Sequence, residues 1–477
     1  MSVAALDHPV SPGAAIRAVL DTQREAYRRD PFPSFEVRAD RVRKLMAALK
    51  DRQHELADAV SDDFGHRSKH ETLLIETFVI QSAGRYILKH LKGWMKPESR
   101  SVSLALLPAS ARVVPQPLGV IGIVSPWNYP LQLSMVPLLY ALAAGNRAMI
   151  KPSELTPRTS AKLAEILGAI FPEDLVAVVQ GGPDVGQAFC EQPLDHLMYT
   201  GSTHVGRLVM QAAAKNLVPV TLELGGKSPV VVHPEFPVEA AAEAVASVKM
   251  ANAGQTCVAP DYVLVTRDRA DALVDAIAAK MTAMYPRLAD NPDYTSVINA
   301  RHQARLQSYV DDAKAKGARA IDVNPANETF GDAAHKMAPV ILRGVTDEMV
   351  VMQEEIFGPV LPIVEVGTVE EAIRYVNDRP RPLALYYFDR DQTRIDDLLR
   401  RTHSGGVTVN DCALHVIEEH LPFGGVGPSG MGAYHGKEGF DTFSHRKAVL
   451  HQPRMNSRWL TLPPFGRRVE RLVDWLT

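Results

Sequence analysis

Cys257 is the residue of this sequence best placed to act as a nucleophile. It lies in Asn252-Ala-Gly-Gln-Thr-Cys-Val258, where small and polar neighbours leave a thiol accessible. A cysteine attacks as the thiolate, which needs a base, a helix N-terminus or a cation to favour it. No Cys–His protease signature surrounds it, so this segment alone leaves a catalytic and an inert thiol equally open. The other two cysteines differ. Cys190 follows Ala188-Phe189 in an apolar helical stretch and Cys412 precedes Ala413-Leu414, so both read as packing or loop residues.

Glu223 supplies a candidate base. It stands in Thr221-Leu-Glu-Leu-Gly-Gly-Lys-Ser-Pro229, a strand running into a glycine turn, where α/β folds present reactive groups. Between two leucines a carboxylate loses hydration, which raises its pKa toward that of a general base at neutral pH. The alternative is an ion pair with Lys227. Asn128, in Ser125-Pro-Trp-Asn-Tyr-Pro130, ends another apolar run, and its side-chain NH2 is suited to donate to a developing oxyanion. An ordinary turn asparagine is the competing reading.

Two segments suit a dinucleotide. Thr200-Gly-Ser-Thr-His-Val-Gly206 follows a strand and opens a helix, so the N–H groups around Gly201, Ser202 and Gly206 suit a pyrophosphate, although the spacing departs from Gly-x-Gly-x-x-Gly. Lys151 closes a strand and is followed by Pro152, Ser153 and Glu154. A lysine and a glutamate at a strand's carboxyl end suit ribose hydroxyls, and Glu154 would repel a 2′-phosphate, favouring NAD over NADP.

These residues need a scaffold, and the periodicity describes one. Apolar positions recur at three- and four-residue steps over 36–64 and again over 70–94, predicting amphipathic helices joined by a polar link at 65–68. A β-leaning stretch at 102–114 predicts a projecting hairpin. Short apolar runs at 120–124, 147–151, 176–180, 196–200, 220–224 and 229–232 alternate with helical stretches at 134–144, 158–170 and 206–216, as in a doubly wound parallel sheet. A second α/β series follows, with strands expected at 262–265, 360–366, 384–388 and 406–409. Glycine is dense over 422–439, which predicts close backbone packing or a loop over a site.

The 477 residues are about three domains' worth of chain, and 46% hydrophobic with 22% charged residues excludes a disordered protein. Lys and Arg number 52 against 55 Asp and Glu, a net charge of −3, which leaves no basic field for nucleic acid. An odd count of three cysteines suits a reducing compartment. No secretory leader is visible at the N-terminus and no apolar run is long enough to span a membrane, so a cytoplasmic protein is expected.

Seven motifs occur in order: Pro-Trp-Asn-Tyr-Pro, Lys-Pro-Ser-Glu, Gly-Ser-Thr-x-x-Gly, Leu-Glu-Leu-Gly-Gly-Lys, Gly-Gln-Thr-Cys, Glu-Glu-Ile-Phe-Gly-Pro and Pro-Phe-Gly-Gly. In this the chain resembles the NAD(P)-dependent aldehyde dehydrogenase superfamily over 38–447. Cys257-Val-Ala-Pro-Asp261 and Gly430-Met-Gly-Ala-Tyr-His-Gly436 look like its class 3 branch. Asp63-Phe-Gly-His-Arg67 and the tail with Trp459 look most like that branch's bacterial members acting on coniferyl aldehyde.

The resemblance implies a mechanism and an architecture. Cys257 would attack the aldehyde to give a thiohemiacetal, with Asn128 and the Cys257 N–H holding the oxyanion. Hydride would pass to the nicotinamide, and Glu223 would activate water to hydrolyse the thioester. Glu355 matches the residue that binds the nicotinamide ribose, with Phe357 beside the ring and Glu354 a solvated neighbour. Lys151 and Glu154 match the adenine-ribose contacts, and Ser202 with its turn the pyrophosphate site. Tyr129 and Leu133 are expected to line a substrate tunnel. The implied domains are cofactor-binding (1–98 and 118–225), catalytic (226–438) and oligomerisation (99–117 and 439–453), followed by a tail at 454–477. A homodimer is implied too, and no metal. Arg467, Arg468, Glu470, Arg471 and Asp474 interrupt the tail where long-chain relatives carry an apolar anchor, so no membrane span is expected.

Coniferyl aldehyde oxidation to ferulate is thus the leading expectation, with a medium- or long-chain aliphatic aldehyde as the alternative. A non-catalytic protein on the same scaffold would be expected to lack Cys257, Glu223 or Asn128. An acylating enzyme that hands the thioester to coenzyme A would usually lack the base at Glu223. All three residues are present.

Overall fold

The computed structural model describes residues 11–331, 335–456, 458 and 462–476; Trp459 and the first ten residues lie outside them. The expected helices over 36–64 are two, Phe35–Asp51 and Gln53–Asp63, divided at Arg52. That arginine leaves helical geometry (φ −108°, ψ 15°) and pairs with Glu55 and Glu165 instead. The helix expected over 70–94 starts with one α-helical turn, Lys69–Glu71, passes through a π-helical turn, Thr72–Thr77, and continues as Phe78–Trp94.

The first sheet has the order Gly430–Met431, Val220–Leu224, His196–Gly201, Val120–Val124, Arg147–Lys151 and Val176–Val178. All neighbours are parallel except the two-residue strand 430–431, which runs antiparallel to 220–224. The chain starts at 120–124, builds outward to 176–178, then returns to the other side at 196–201. A crevice therefore opens beyond the carboxyl ends of 120–124 and 196–201, where such sheets bind ligands.

The second sheet has the order Arg319–Asp322, Val340–Arg343, Val360–Val366, Tyr262–Thr266, Pro229–Val232, Ala384–Phe388 and Gly406–Val409. Only the outermost strand, 319–322, is antiparallel. The chain leaves one sheet at Leu224 and enters the other at Pro229. The expected hairpin is present as Glu98–Arg100 against Ser110–Pro117, and Ser444–His451 completes a three-stranded antiparallel sheet.

Helix Gln132–Ala143 lies against the first sheet with all twelve residues buried. It is apolar all round because it has no solvent face. Its last carbonyls are met by a charge from the N-terminal helices: Arg38, itself buried, donates from Nη1 to the Ala144 carbonyl at 2.7 Å. A cation at a helix C-terminus is favoured by the unsatisfied carbonyls there.

Candidate active site

Cys257, Glu223, Asn128, Glu355, Phe357 and Leu133 line one cavity of about 220 Å³. It lies between the two sheets. The carboxyl ends of first-sheet strands supply Asn128, Thr200 and Glu223. Loops that enter second-sheet strands supply Gly225, Cys257, Glu355 and Leu383. Glycine-rich 422–439 closes one wall with Phe423 and Tyr434, whose backbones pair reciprocally at 2.8 Å.

Glu223 is buried, and neither carboxylate oxygen has a hydrogen-bond partner among the described residues. Desolvation pushes its pKa well above the ordinary carboxylate range. The Lys227 alternative fails. Lys227 pairs with Asp261, and its Nζ donates to the Val351 and Glu354 carbonyls at 2.8 and 2.9 Å. It anchors the loop that carries Glu355, whose next residue, Ile356, donates its N–H to Asp261 at 3.0 Å.

Cys257 is only partly exposed, at the cavity wall. Burial, then Glu355 and Glu223, push its thiol up to about 12, against the N–H groups of Cys257 and Val258 that point to the sulfur. Cys190 and Cys412 are buried, in agreement with packing roles. Asn128 is buried and its Nδ2 donates one hydrogen to the Gln255 carbonyl at 3.1 Å, two residues before Cys257. An amide carries two such hydrogens, so one remains for a ligand.

Glu355 accepts from the Gly226 N–H and is raised to about 8, chiefly by burial and then by Asp261. A Cβ on Gly225 would lie 2.0 Å from its Oε2, so any larger residue there would displace the Glu355 carboxylate. Phe357 sits in left-handed backbone (φ 51°) with its ring edge-on to Trp127 at 5.4 Å. Glu354 is exposed.

A second, adjoining cavity of about 780 Å³ contains Lys151, Ser153, Glu154, Gly201 and Ser202. Lys151 Nζ donates to the Pro152 carbonyl at 2.8 Å and lies 3.9 Å from Glu154, and burial lowers its pKa. Ser202 caps helix Thr203–Ala214, accepting from the Val205 N–H, so the helix N-terminus faces this space. The elongated double cavity, with a helix N-terminus between two carboxylates, fits a dinucleotide.

Two expected site residues lie elsewhere. Gly206 lines neither cavity; a Cβ there would meet the Leu224 side chain at 2.6 Å, so this glycine lets helix 203–214 approach strand 220–224. Tyr129 is buried with its hydroxyl 2.7 Å from Thr256 Oγ1 and lines neither cavity, whereas Trp127 lines both. Tyr129 is turned away from the cavity by its contacts with the Arg67 guanidinium, 4.8 Å from the ring centroid, and with Thr256. Sequence reasoning also missed His302 and Arg305, both in the cavity wall from helix Ala300–Ala315. Arg305 donates to the Ile356 carbonyl at 2.9 Å, supporting the Glu355 loop.

The sequence profile of the aldehyde dehydrogenase family matches residues 9–449. The chain belongs to the aldehyde dehydrogenase family. Among family members, it is 50% identical over 459 residues to a probable coniferyl aldehyde dehydrogenase of Pseudomonas aeruginosa, covering 96% of this chain and 95% of that one. It is 47% identical to the coniferyl aldehyde dehydrogenase of Pseudomonas sp. strain HR199, over 100% of this chain and 99% of the relative. The solved structure of Staphylococcus aureus AldH in a substrate-bound state superposes with a TM-score of 0.91 at 35% identity, covering 97% of this chain and 99% of that one. A Mycobacterium tuberculosis aldehyde dehydrogenase solved with NAD+ gives 0.82 at 29% identity, over 94% and 92% of the two chains. This family member is therefore an oxidoreductase acting on aldehydes, built on the α/β aldehyde dehydrogenase fold. Among the described residues no helix is long and apolar enough to cross a membrane.

Proposed function

We propose that the protein oxidises coniferyl aldehyde to ferulate with NAD, through a covalent intermediate on Cys257. The substrate rests on the identity, 47% to 50% over almost the whole chain, to bacterial relatives named for coniferyl aldehyde. The chemistry rests on one observation above the others: Cys257, Glu223 and Asn128 converge on one cavity.

Cys257 Sγ forms a bond to the carbonyl carbon while the carbonyl π electrons move to oxygen. Its proton must leave, and Glu223 and Glu355, both raised in pKa, are the carboxylates facing the same cavity. The free hydrogen of Asn128 Nδ2 and the Cys257 N–H hold the oxyanion. NAD, when bound, supplies the acceptor for the hydride that leaves the substrate carbon. Glu223 then takes a proton from water as its oxygen adds to the thioester, and the sulfur departs from the acid. Glu355 and Phe357 hold the nicotinamide end. Lys151, Ser153, Glu154, Gly201 and Ser202 hold the adenosine and pyrophosphate, Glu154 favouring NAD over NADP. The same reading takes the chain as a cytoplasmic homodimer associating through the small sheet, with 1–98 plus 118–225 as cofactor domain and 226–438 as catalytic domain.

The test is NADH formation at 340 nm with coniferyl aldehyde, benzaldehyde and decanal. A kcat/KM at least tenfold higher for coniferyl aldehyde, about 1.4 kcal/mol of discrimination, is expected. A higher value for decanal would move the protein to aliphatic substrates.

A further inference from the structure

Arg67 and Glu76 form an ion pair at 3.1 Å with both side chains 0% exposed. Neither touches the cavity, yet both grip the segment that carries Asn128. Arg67 Nη1 donates to the Asn128 backbone carbonyl at 2.9 Å. Glu76 Oε2 accepts from the Leu131 and Gln132 N–H groups at 2.8 and 3.1 Å, capping the buried helix that begins there. The guanidinium also lies over the Tyr129 ring, 4.8 Å from its centroid, and the Tyr129 hydroxyl is 2.7 Å from Thr256 Oγ1, next to Cys257. From the other side, Asn252 Nδ2 donates to the same Asn128 carbonyl at 3.0 Å and to the Gln255 carbonyl at 3.1 Å.

The local backbone is unusual on both sides of this junction. Glu76 belongs to the π-helical turn 72–77, whose Thr72, Glu76 and Thr77 are buried. Such turns insert a residue into a helix and re-aim its side chains, often at functional sites. Asn252 and Ala253 adopt left-handed backbone (φ 51° and 50°). A buried ion pair is a weak source of stability, because desolvation offsets its attraction. Holding one carbonyl and two N–H groups in a fixed place is a better reason for this one.

We propose that Arg67, held by Glu76, is a positioning residue that fixes the Asn128 amide at the distance from Cys257 needed to stabilise the oxyanion. This rests on the reading of Asn128 as the oxyanion donor. It acts on the formation of the tetrahedral adduct, before hydride leaves and before the thioester is hydrolysed. Cofactor binding and the intrinsic reactivity of the sulfur are outside its reach.

The test uses the full chain and three readouts. The first is single-turnover NADH formation with enzyme in excess of aldehyde. The others are NAD affinity by fluorescence titration, and alkylation of Cys257 by iodoacetamide, which forms no oxyanion. The variant Arg67→Met/Glu76→Gln removes both charges of the pair together, leaving Glu71, the other carboxylate that faces Arg67, with its hydrogen bond from Thr295 Oγ1 at 3.2 Å. Its single-turnover rate should fall at least tenfold, with NAD affinity and alkylation within twofold of the parent. Asn128→Ala should slow the same step, and adding it to the double variant should cost no more than a further twofold. Arg67→Lys, which keeps the charge and one donor, should recover part of the rate, and it replaces the double variant if that one does not fold. A folded double variant, or Arg67→Lys in its place, with an unchanged single-turnover rate would overturn the role of Arg67 while a slow Asn128→Ala left the oxyanion reading standing. Fully additive losses would overturn it as well. An unchanged Asn128→Ala would overturn the oxyanion reading itself, and this inference with it.

Discussion

Replacing Glu223 by Gln should separate the two halves of the reaction. The side chain is buried, 3% exposed, and neither oxygen is engaged, so the amide fits the same space without breaking a hydrogen bond. What it removes is the base. General-base assistance contributes a factor of about 10² to 10⁴, roughly 3 to 5 kcal/mol. We expect the middle of that range, about 10³, because the second carboxylate in the cavity, Glu355, is tied to the Gly226 N–H and remains half protonated near pH 8. Steady-state turnover should therefore fall about 10³-fold, while the first equivalent of NADH appears within tenfold of the parental rate. Stability should move the other way. The folded pKa of Glu223 lies above its unfolded value near 4.3, so its contribution is complete below that pH and is lost as pH rises toward the folded pKa. The glutamine variant should consequently melt at or above the parental Tm at pH 8, with the difference vanishing near pH 4. Rapid-mixing absorbance at 340 nm and thermal denaturation read both. Undiminished steady-state turnover would refute Glu223 as the deacylation base.

With the Cys257 thiol pushed up to about 12, its alkylation by iodoacetamide in cofactor-free enzyme should quicken tenfold per pH unit from 7 to 10; a plateau below pH 9 would contradict this. Gly225→Ala should raise the KM for NAD at least tenfold, since the new methyl group would lie 2.0 Å from Glu355 Oε2; an unchanged KM would mean that Glu355 does not hold the cofactor. Glu154→Gln removes the charge expected to repel a 2′-phosphate and should narrow the NAD over NADP preference in kcat/KM about tenfold. An unaltered ratio would show that discrimination lies elsewhere.

The parallel strands were the most legible part of the sequence. Strands buried on both faces read as continuous apolar runs, so 120–124, 147–151 and 220–224 fall where the runs predict. The edge strand Arg319–Asp322 did not announce itself, because none of its four residues is fully buried and it carries no continuous apolar run. Cys257, Glu223 and Asn128 were legible through chemistry, each being a functional group set among residues that neither need it nor satisfy it. Arg38, Arg67 and Glu76 were not. A charge on an amphipathic helix, as at Arg38 and Glu76, or in a polar link, as at Arg67, ordinarily marks the solvent side, and what buries these three is helix 132–143 with its flanking turns, more than fifty residues away in the chain. Tyr129 and Gly206 lie in the expected segments but outside both cavities, because what they pack against, Thr256 and Leu224, is distant in the chain.

The most direct measurement is mass spectrometry of cysteine-containing peptides after acid quench of Glu223→Gln with NAD and coniferyl aldehyde. A feruloyl thioester on the Cys257 peptide alone, formed in step with the first equivalent of NADH, is the predicted result. NADH release with no acyl group on Cys257, or an acyl group on Cys190 or Cys412 instead, would contradict it.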